Sequence, residues 1–337
     1  MTDASPRTSP PTLHDVARAA GVSLATASRV LNGSERKVAE SFRERVEKAA
    51  DELGYTANAS AQATARGTSA AIALLVADIA DPYFGQIAAG VASGADAEGL
   101  IVTVAITERD PDREARILRA LRGQRPRGVI LAASRTDTPD ARTIAELAAF
   151  GPLGGRTVTF GEGGDRSIRI DNRGGAEGLG RAMAQRGYRR AIAIAAADGV
   201  RTSDDRLTGF TAGFASGGGE VERIYRGTFE RESGAESMTA ALADGVDAGT
   251  LVFALSDIVA VGAMTAIRDG GRSVGDDIAV CGFDDVPVSR DVTPRLTTVR
   301  VPLGDLGHEA FRATVDAEWQ QPALDLEVVV RESTPGV

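Results

Sequence analysis

Sulfur and imidazole are scarce in this chain of 337 residues, which holds one cysteine, Cys281, and two histidines, His14 and His308. A single cysteine excludes a disulfide framework and a cysteine-based zinc site, and two widely separated histidines argue against a multi-histidine metal centre. No metal and no cofactor is expected. Long apolar runs are also missing: none approaches the ~20 residues needed to span a bilayer, so no membrane partner is expected. The stretch from Met1 to Pro11 is rich in Ser, Thr and Pro without an apolar core, which makes export an unexpected fate and the cytoplasm the expected compartment. Catalytic signatures are absent as well. There is no G-x-x-x-x-G-K-[ST] phosphate loop and no G-x-S-x-G elbow, and the clusters Gly161–Gly164 and Gly217–Gly219 do not match G-x-G-x-x-G. Cys281 lies in an apolar run, where a cysteine reads as a small core residue. Asp284 and Asp285 are neighbours leaving a strand, so their side chains diverge and shared acid–base work is not expected. No catalytic residue follows from the sequence; a sugar-metabolism enzyme on an α/β body is the alternative.

The 38 basic residues are outnumbered by 47 acidic ones, for a net charge of -9. A polyanion repels nucleic acid, so any DNA contact has to come from a local patch. Residues 1–68 carry a net charge of +1 and the remainder -10, and the only lysines, Lys37 and Lys48, fall in the first segment. That asymmetry is compatible with a nucleic-acid-binding head on an acidic body.

Hydrophobic residues make up 43% of the chain and charged residues 25%, an ordinary globular balance. Two grammars divide it. The first 55 residues read as three short helices. Thr12 and Asp15 form a capping pattern, Gly21 ends the first helix, and Ser23 can cap a second from Leu24 to Leu31. In the third, Phe42, Val46, Ala49, Ala50 and Leu53 share one face and Gly54 closes it. From residue 70 strands alternate with helices. Buried-strand runs stand at Ala71–Ala77, Leu100–Ile106, Gly128–Ala133, Arg156–Phe160, Ala191–Ala196, Thr250–Leu255 and Ile278–Phe283. Helix-length segments such as Pro82–Glu98, Asp112–Arg122, Gly174–Arg186 and Ile258–Asp269 separate them. This predicts a doubly wound α/β body with ligands at the carboxyl ends of the strands. About ten strands exceed one ordinary half, so two similar lobes are expected, dividing near Asp171 and rejoining near Thr298.

The segments Thr12-Leu13-His14-Asp15-Val16-Ala17, Ala20-Gly21-Val22-Ser23 and Ala25 to Gly33 closely resemble the helix-turn-helix head of the lactose-repressor family of bacterial transcription regulators. Arg45-Val46 through Tyr55 and Asn58 continue the match. So do Ile72–Val76, Asp81-Pro82-Tyr83-Phe84, Arg206 to Phe210, Gly282-Phe283-Asp284-Asp285, Leu296 to Val299, and Arg331 to Thr334, in the family's order. The resemblance implies an all-α helix-turn-helix head and a two-lobed body of the periplasmic-binding-protein type. The boundaries it gives are a tail over 1–11, a head over 12–57, a hinge helix over 58–68 and a body over 69–337. Within the body, the N-lobe covers about 69–171 and 301–330 and the C-lobe about 172–300. It implies a homodimeric repressor that binds a palindromic operator and answers to a small polar effector, a pentose such as ribose or a nucleoside.

In such heads the start of the second helix enters the major groove. Leu24, Ala25 and Arg29 occupy the base-reading positions; the Arg29 fork can bond guanine O6 and N7 together, while Leu24 and Ala25 offer apolar contact or simply pack a helix face. Ser23, Thr26, Ser28 and Asn32 read as phosphate contacts or caps, and the resemblance counts Thr12 and Tyr55 among the DNA-binding residues as well. The hinge brings Asn58, Gln62 and Thr64 to the minor groove. Thr64 stands where the family usually has a wedging leucine, and Ala57 where it has a proline. In the body, Asp81, Tyr83 and Phe84 match the ligand-facing loop. Arg206 and Asp284 match a polar pair that bonds ligand hydroxyls; an interlobe ion pair and a strand-end cap are their structural alternatives. Ser256 stands in place of the more frequent Asn, and Ser134, Arg135 and Phe160 are further strand-end candidates.

Overall fold

The computed structural model describes residues 10–31, 38–56, 69–132 and 140–337. Asn32, Asn58, Gln62, Thr64, Ser134, Arg135 and the hinge expected over 58–68 lie outside the described residues. The chain forms two compact units, Met1–Ser69 and Ala70–Val337.

In the first unit, α1 (Leu13–Ala20), α2 (Leu24–Leu31) and α3 (Glu40–Leu53) pack around Val16, Ala17, Ala20, Ala27, Val46, Ala49 and Ala50. Alanines let these short helices approach closely. The capping box forms as the sequence implies: the Asp15 N–H donates to Thr12 Oγ1 and the Thr12 N–H to Asp15 Oδ2 (3.3 and 3.0 Å). Gly21, at φ 63°, takes the left-handed conformation that ends α1 and lets the chain turn into α2. Phe42 departs from the expected buried face. It sits in the first turn of α3, is 42% exposed, and carries the Arg45 guanidinium 5.0 Å over its ring.

The second unit contains two parallel sheets. The first uses β1 (Ala71–Val76), β2 (Ile101–Ile106), β3 (Gly128–Leu131), β4 (Arg156–Phe160) and β5 (Arg166–Ile168) in the order β2-β1-β3-β4-β5. Helices α4 (Pro82–Ala97), α5 (Pro111–Gln124) and α6 (Ala141–Ala148) connect its strands. The second sheet follows α7 (Asn172–Gln185) and orders β6 (Arg190–Ala196), β7 (Glu220–Gly227), β8 (Thr250–Ala254) and β9 (Ile278–Cys281) as β7-β6-β8-β9. Its connecting helices are α8 (Arg201–Ser216), α9 (Arg231–Ala243) and α10 (Asp257–Asp269). The short helix α11 (Val288–Asp291) comes next, and then β10 (Thr298–Arg300) leads into α12 (Leu303–Val315), which packs on α4 beneath the first sheet. Finally β11 (Glu327–Val329) pairs antiparallel with β10. In both sheets the strand order reverses beside the first strand, which puts a crevice at its carboxyl end.

The central strands β1, β3, β6 and β8, and the edge strand β9, are buried along nearly their whole length, as sheets covered by helices on both faces require. One core runs through both sheets, from Ile72 and Leu131 to Leu179, Phe210 and Phe253, and a second fills the far face of the second sheet around Ile192, Met238 and Val252. The structure adds β5, β7, β10 and β11 to the expected strands; β7 alternates exposed and half-buried residues, so no apolar run marks it.

Helix pairs in this unit approach backbone to backbone. A Cβ on Gly90 of α4 would overlap the Gly304 carbonyl of α12; one on Gly213 of α8 would overlap the Glu177 carbonyl of α7; one on Gly262 of α10 would overlap the Arg231 carbonyl of α9.

Candidate nucleic-acid face and interlobe ligand site

On α2, Ala27 turns into the head core while Leu24, Ala25 and Arg29 lie on the exposed side, Leu24 at 47% exposure. The packed-face alternative for Leu24 and Ala25 therefore does not hold within the head. Ser23 caps the helix: its Oγ accepts the Thr26 N–H at 3.1 Å and lies 2.8 Å from Thr26 Oγ1. Thr12 is occupied in its capping box, and Tyr55 packs its ring partly against the head core while its N–H donates to the Ala50 carbonyl.

The body gathers charged groups at the carboxyl ends of both sheets. Asp81, after β1, caps α4 by accepting the Tyr83 N–H at 2.9 Å on Oδ1, and burial pushes its carboxyl above the usual range. Tyr83 is half-buried and faces these polar groups; burial, with Asp284 nearby, raises its phenol pKa. Phe84, expected beside it, is 3% exposed and lies in the core, because successive helical residues point about 100° apart. The two rings meet edge to face at 5.0 Å.

Arg206 and Asp284 come together in the second lobe, both nearly inaccessible at 1% and 4% exposure. Arg206 donates through Nη2 to Asp284 Oδ1 at 2.7 Å and through Nη1 to Oδ2 at 3.2 Å; it also donates to the Leu255 carbonyl and, through Nε, to Asn172 Oδ1, both at 2.8 Å. Its guanidinium stacks 3.9 Å over the Phe283 ring. Four of five N–H groups are thus held by the protein, leaving one on Nη2 for a ligand. The ion pair lies within one lobe, unlike the interlobe pair weighed as an alternative. Desolvation outweighs the Arg206 charge at Asp284 and raises its pKa to about 6.

Ser256 is the N-cap of α10, its Oγ accepting the Val259 N–H, and is buried. The next residue, Asp257, accepts from Thr298 Oγ1 and from the Val286 N–H, tying the loop after β9 to β10; burial holds its pKa well above the carboxylate range. Phe160 ends β4, half-buried against the main core.

Four residues at this site escaped sequence reasoning: Asn172, Arg109, Phe229 and Glu230. Arg109 follows β2 and places its guanidinium 5.0 Å over the ring of Phe229, which follows β7 in the other lobe. A second bridge between lobes joins Arg201 Nη1 to Glu162 Oε1 at 3.2 Å. The position of Arg109, a charged residue three places after the end of an apolar strand, was a usable signal. Phe229 had none, because β7 itself was hidden.

A helical head whose second helix leaves one side open, followed by two lobes of parallel sheet with polar groups between them, defines the class of bacterial transcription regulators built on a periplasmic-binding-protein-like body. Comparison with known proteins agrees in both units. Residues 12–58 match the lacI family of bacterial regulatory proteins, and residues 181–334 match the periplasmic binding protein-like domain. The chain is 32% identical to the HTH-type transcriptional regulator CelR of Thermobifida fusca, over 96% of this chain and 98% of that one. It is 30% identical to the ribose operon repressor of Halalkalibacterium halodurans, over 96% and 97%. Its structure superposes on the lac repressor dimer bound to operator and the anti-inducer ONPF with a TM-score of 0.83 at 28% identity, over 97% and 99% of the two chains. The chain belongs to the lacI family of bacterial regulatory proteins. No described helix is long and apolar enough to cross a membrane.

Proposed function

We propose that the chain is an effector-controlled transcriptional repressor that binds a palindromic operator as a homodimer. The observation that carries this reading is the open face of α2, where Leu24, Ala25 and Arg29 stand clear of the head core that Ala27 enters. That face can enter a major groove with Arg29 directed at a base edge, while Ser23, Thr26 and Ser28 serve the phosphates. Asn32 and the hinge residues Asn58, Gln62 and Thr64 complete the operator contacts. The head spans 12–57, the hinge 58–68 and the body 69–337, and the protein acts in the cytoplasm.

The dimer surface includes β2, the edge strand of the first sheet, where Ile101 is 71% exposed and Val104 also stands free. An apolar edge strand of this kind needs a cover, and a second copy supplies it.

The effector is a small polar molecule, a pentose such as ribose or a nucleoside, held at the interlobe site by Asp81, Tyr83 and Asp284 with Arg206 behind them. The similarity to a ribose operon repressor supports this choice. Gel shifts test the whole reading: the full-length chain is expected to retain a discrete fragment from DNA flanking its own gene, and ribose or a nucleoside to change that retention. Retention of every fragment alike, unaffected by either compound, would overturn it.

A further inference from the structure

We propose that an arginine-lined surface of the first lobe, from Arg116 to Arg127, is a second contact for duplex DNA, gripping phosphates outside the base pairs that α2 reads. The proposal rests on the reading of the chain as a DNA-binding regulator and adds to it a surface on the body.

Helix α5 and the turn after it carry the first observation. Arginine recurs at every third position, as Arg113, Arg116, Arg119, Arg122 and Arg125, and Arg127 follows. Residues 111–127 hold these six arginines against Asp112 and Glu114, a net of +4 within a body of -10. Part of that charge is matched inside the fold: Arg113 pairs with Glu108, and Arg119 and Arg122 share Glu146 of α6, at 2.7, 2.8 and 3.2 Å. Arg116, Arg125 and Arg127 are exposed, and among the described residues no carboxylate lies within ion-pair distance of them.

The helix itself accounts for only some of this charge. Its dipole favours cations near the carboxyl end, which covers Arg122 and Arg125. Arg116 lies mid-helix and Arg127 beyond the end, outside that effect. Arg125 moreover caps α5 in left-handed backbone, at φ 48°, a place where glycine carries no steric cost.

The surface continues across the sheet. The Arg127 N–H donates to the Ala71 carbonyl at 2.8 Å, and the Arg156 N–H to the Arg127 carbonyl at 3.3 Å. Arg156 is half-buried, and its Nη1 is withdrawn from water without a hydrogen-bond partner. An unsatisfied guanidinium N–H is unfavourable, and an anion brought to this end supplies the acceptor it lacks. The arginines thus gather at the end of the first sheet where the chain arrives from residue 69 into β1.

Chemistry and charge select the partner. Arginine forks bond phosphate oxygens bidentately, and the body contains no lysine. Residues 1–68 carry a net charge of only +1 on a chain of -9, a weak basis for holding a polyanion through the head alone. DNA held by the head is tethered to the body through the same chain, so this surface meets phosphates at high local concentration without a further partner.

The test compares the full-length chain with a patch variant, Arg125→Gln combined with Arg127→Gln. A charge control combines Arg181→Gln with Arg231→Gln, two exposed arginines of the second lobe. The probes are the fragment retained in the gel shift and a random-sequence duplex of equal length, titrated by fluorescence anisotropy from about 50 to about 200 mM KCl. The patch variant is expected to bind both probes at least about tenfold more weakly at the lowest salt, with a salt slope shallower by about two per chain. Its preference for the retained fragment and its melting temperature stay unchanged, because phosphates carry no sequence. Unaltered affinity and slope overturn the proposal and leave the head's own contact standing. Equal losses in the charge control overturn it as well, since net charge alone then accounts for them. A lost preference for the retained fragment marks damage to the head and also overturns it. Unaltered DNA binding with weakened binding of poly-L-glutamate assigns the surface to an acidic protein instead. If the unmodified chain retains no fragment, the operator reading falls, and the salt slope on the random duplex still judges the patch.

Discussion

Asp284 and Asp285 are adjacent in sequence yet hold arginines from different parts of the fold. Asp284 takes the Arg206 fork from α8, whereas Asp285 accepts from Arg300 of β10 at 2.9 Å, from Arg331 near the end of the chain at 2.5 Å, and from Ser289 at 2.8 Å. Both residues are at positive φ, 112° and 52°, so the turn after β9 is forced to aim one carboxylate at the interlobe site and the other at the returning chain. The Arg331 and Arg300 hydrogen bonds keep the Asp285 carboxyl below its usual pKa, while burial lifts that of Asp284.

Acid should therefore act on the two in opposite senses. The folded pKa of Asp284, about 6, lies above its unfolded value of 3.8. The folded state thus holds this proton more tightly, and the associated stabilisation is complete below about pH 4 and lost as pH rises through about 6. Urea unfolding across pH 4.5–7.5 is expected to show a fall in stability of at most about 3 kcal/mol that Asp284→Asn lacks. A variant whose pH profile runs parallel to that of the unmodified chain would contradict it. The absolute stability of Asp284→Asn should still be lower, since it leaves Arg206 buried with a weakened partner.

Arg29→Ala is expected to weaken operator binding by about 1–3 kcal/mol and to relax preference at one base pair per half-site. Gel shifts on operators varied one position at a time would show it. Uniform weakening on every sequence would make Arg29 a phosphate contact instead.

Ile101→Asp places a charge on the exposed apolar edge of β2. Sedimentation should show the dimer dissociation constant rising at least about tenfold, with the monomer retaining its melting temperature. An unaltered dimer would locate the interface elsewhere.

Gly90→Ala and Gly304→Ala form a paired test of helix contact. The methyl at 90 would overlap the Gly304 carbonyl, whereas the methyl at 304 would meet nothing within 4 Å. The first is expected to destabilise the body by about 1–3 kcal/mol or more, and the second to be neutral or stabilising by up to about 1 kcal/mol. Thermal melts of the two variants would distinguish them.

The alternation of apolar runs and helix-length segments in the body was legible because its central strands are buried on both faces and read as continuous Ala, Val, Ile and Leu. The head was legible from its caps, Thr12 with Asp15 and Gly21. Strand β7 was not, since an edge strand with polar residues at alternate positions carries no such run. Pairing was hidden too. The residues of Asp81-Pro82-Tyr83-Phe84 could be named from the chain, but which ring faces the site follows from the pitch of α4, and Arg206 is bound to Asp284 across 78 residues. Arg109 was passed over because its meaning depends on Phe229, a residue that only the folded chain brings beside it.

The glycine contacts between helices bear on how a small molecule can move a large one. Where backbone rests on backbone there is no side-chain layer to reshuffle, so α7 with α8, and α9 with α10, cannot glide past one another without collision. Each lobe then behaves as a stiff lever. Among the described residues, three chain segments pass between the levers, near residues 169–171, 301–302 and 316–326. An effector held between the lobes would be felt as rotation at those crossings, carried through the first lever to the start of β1 at Ala71.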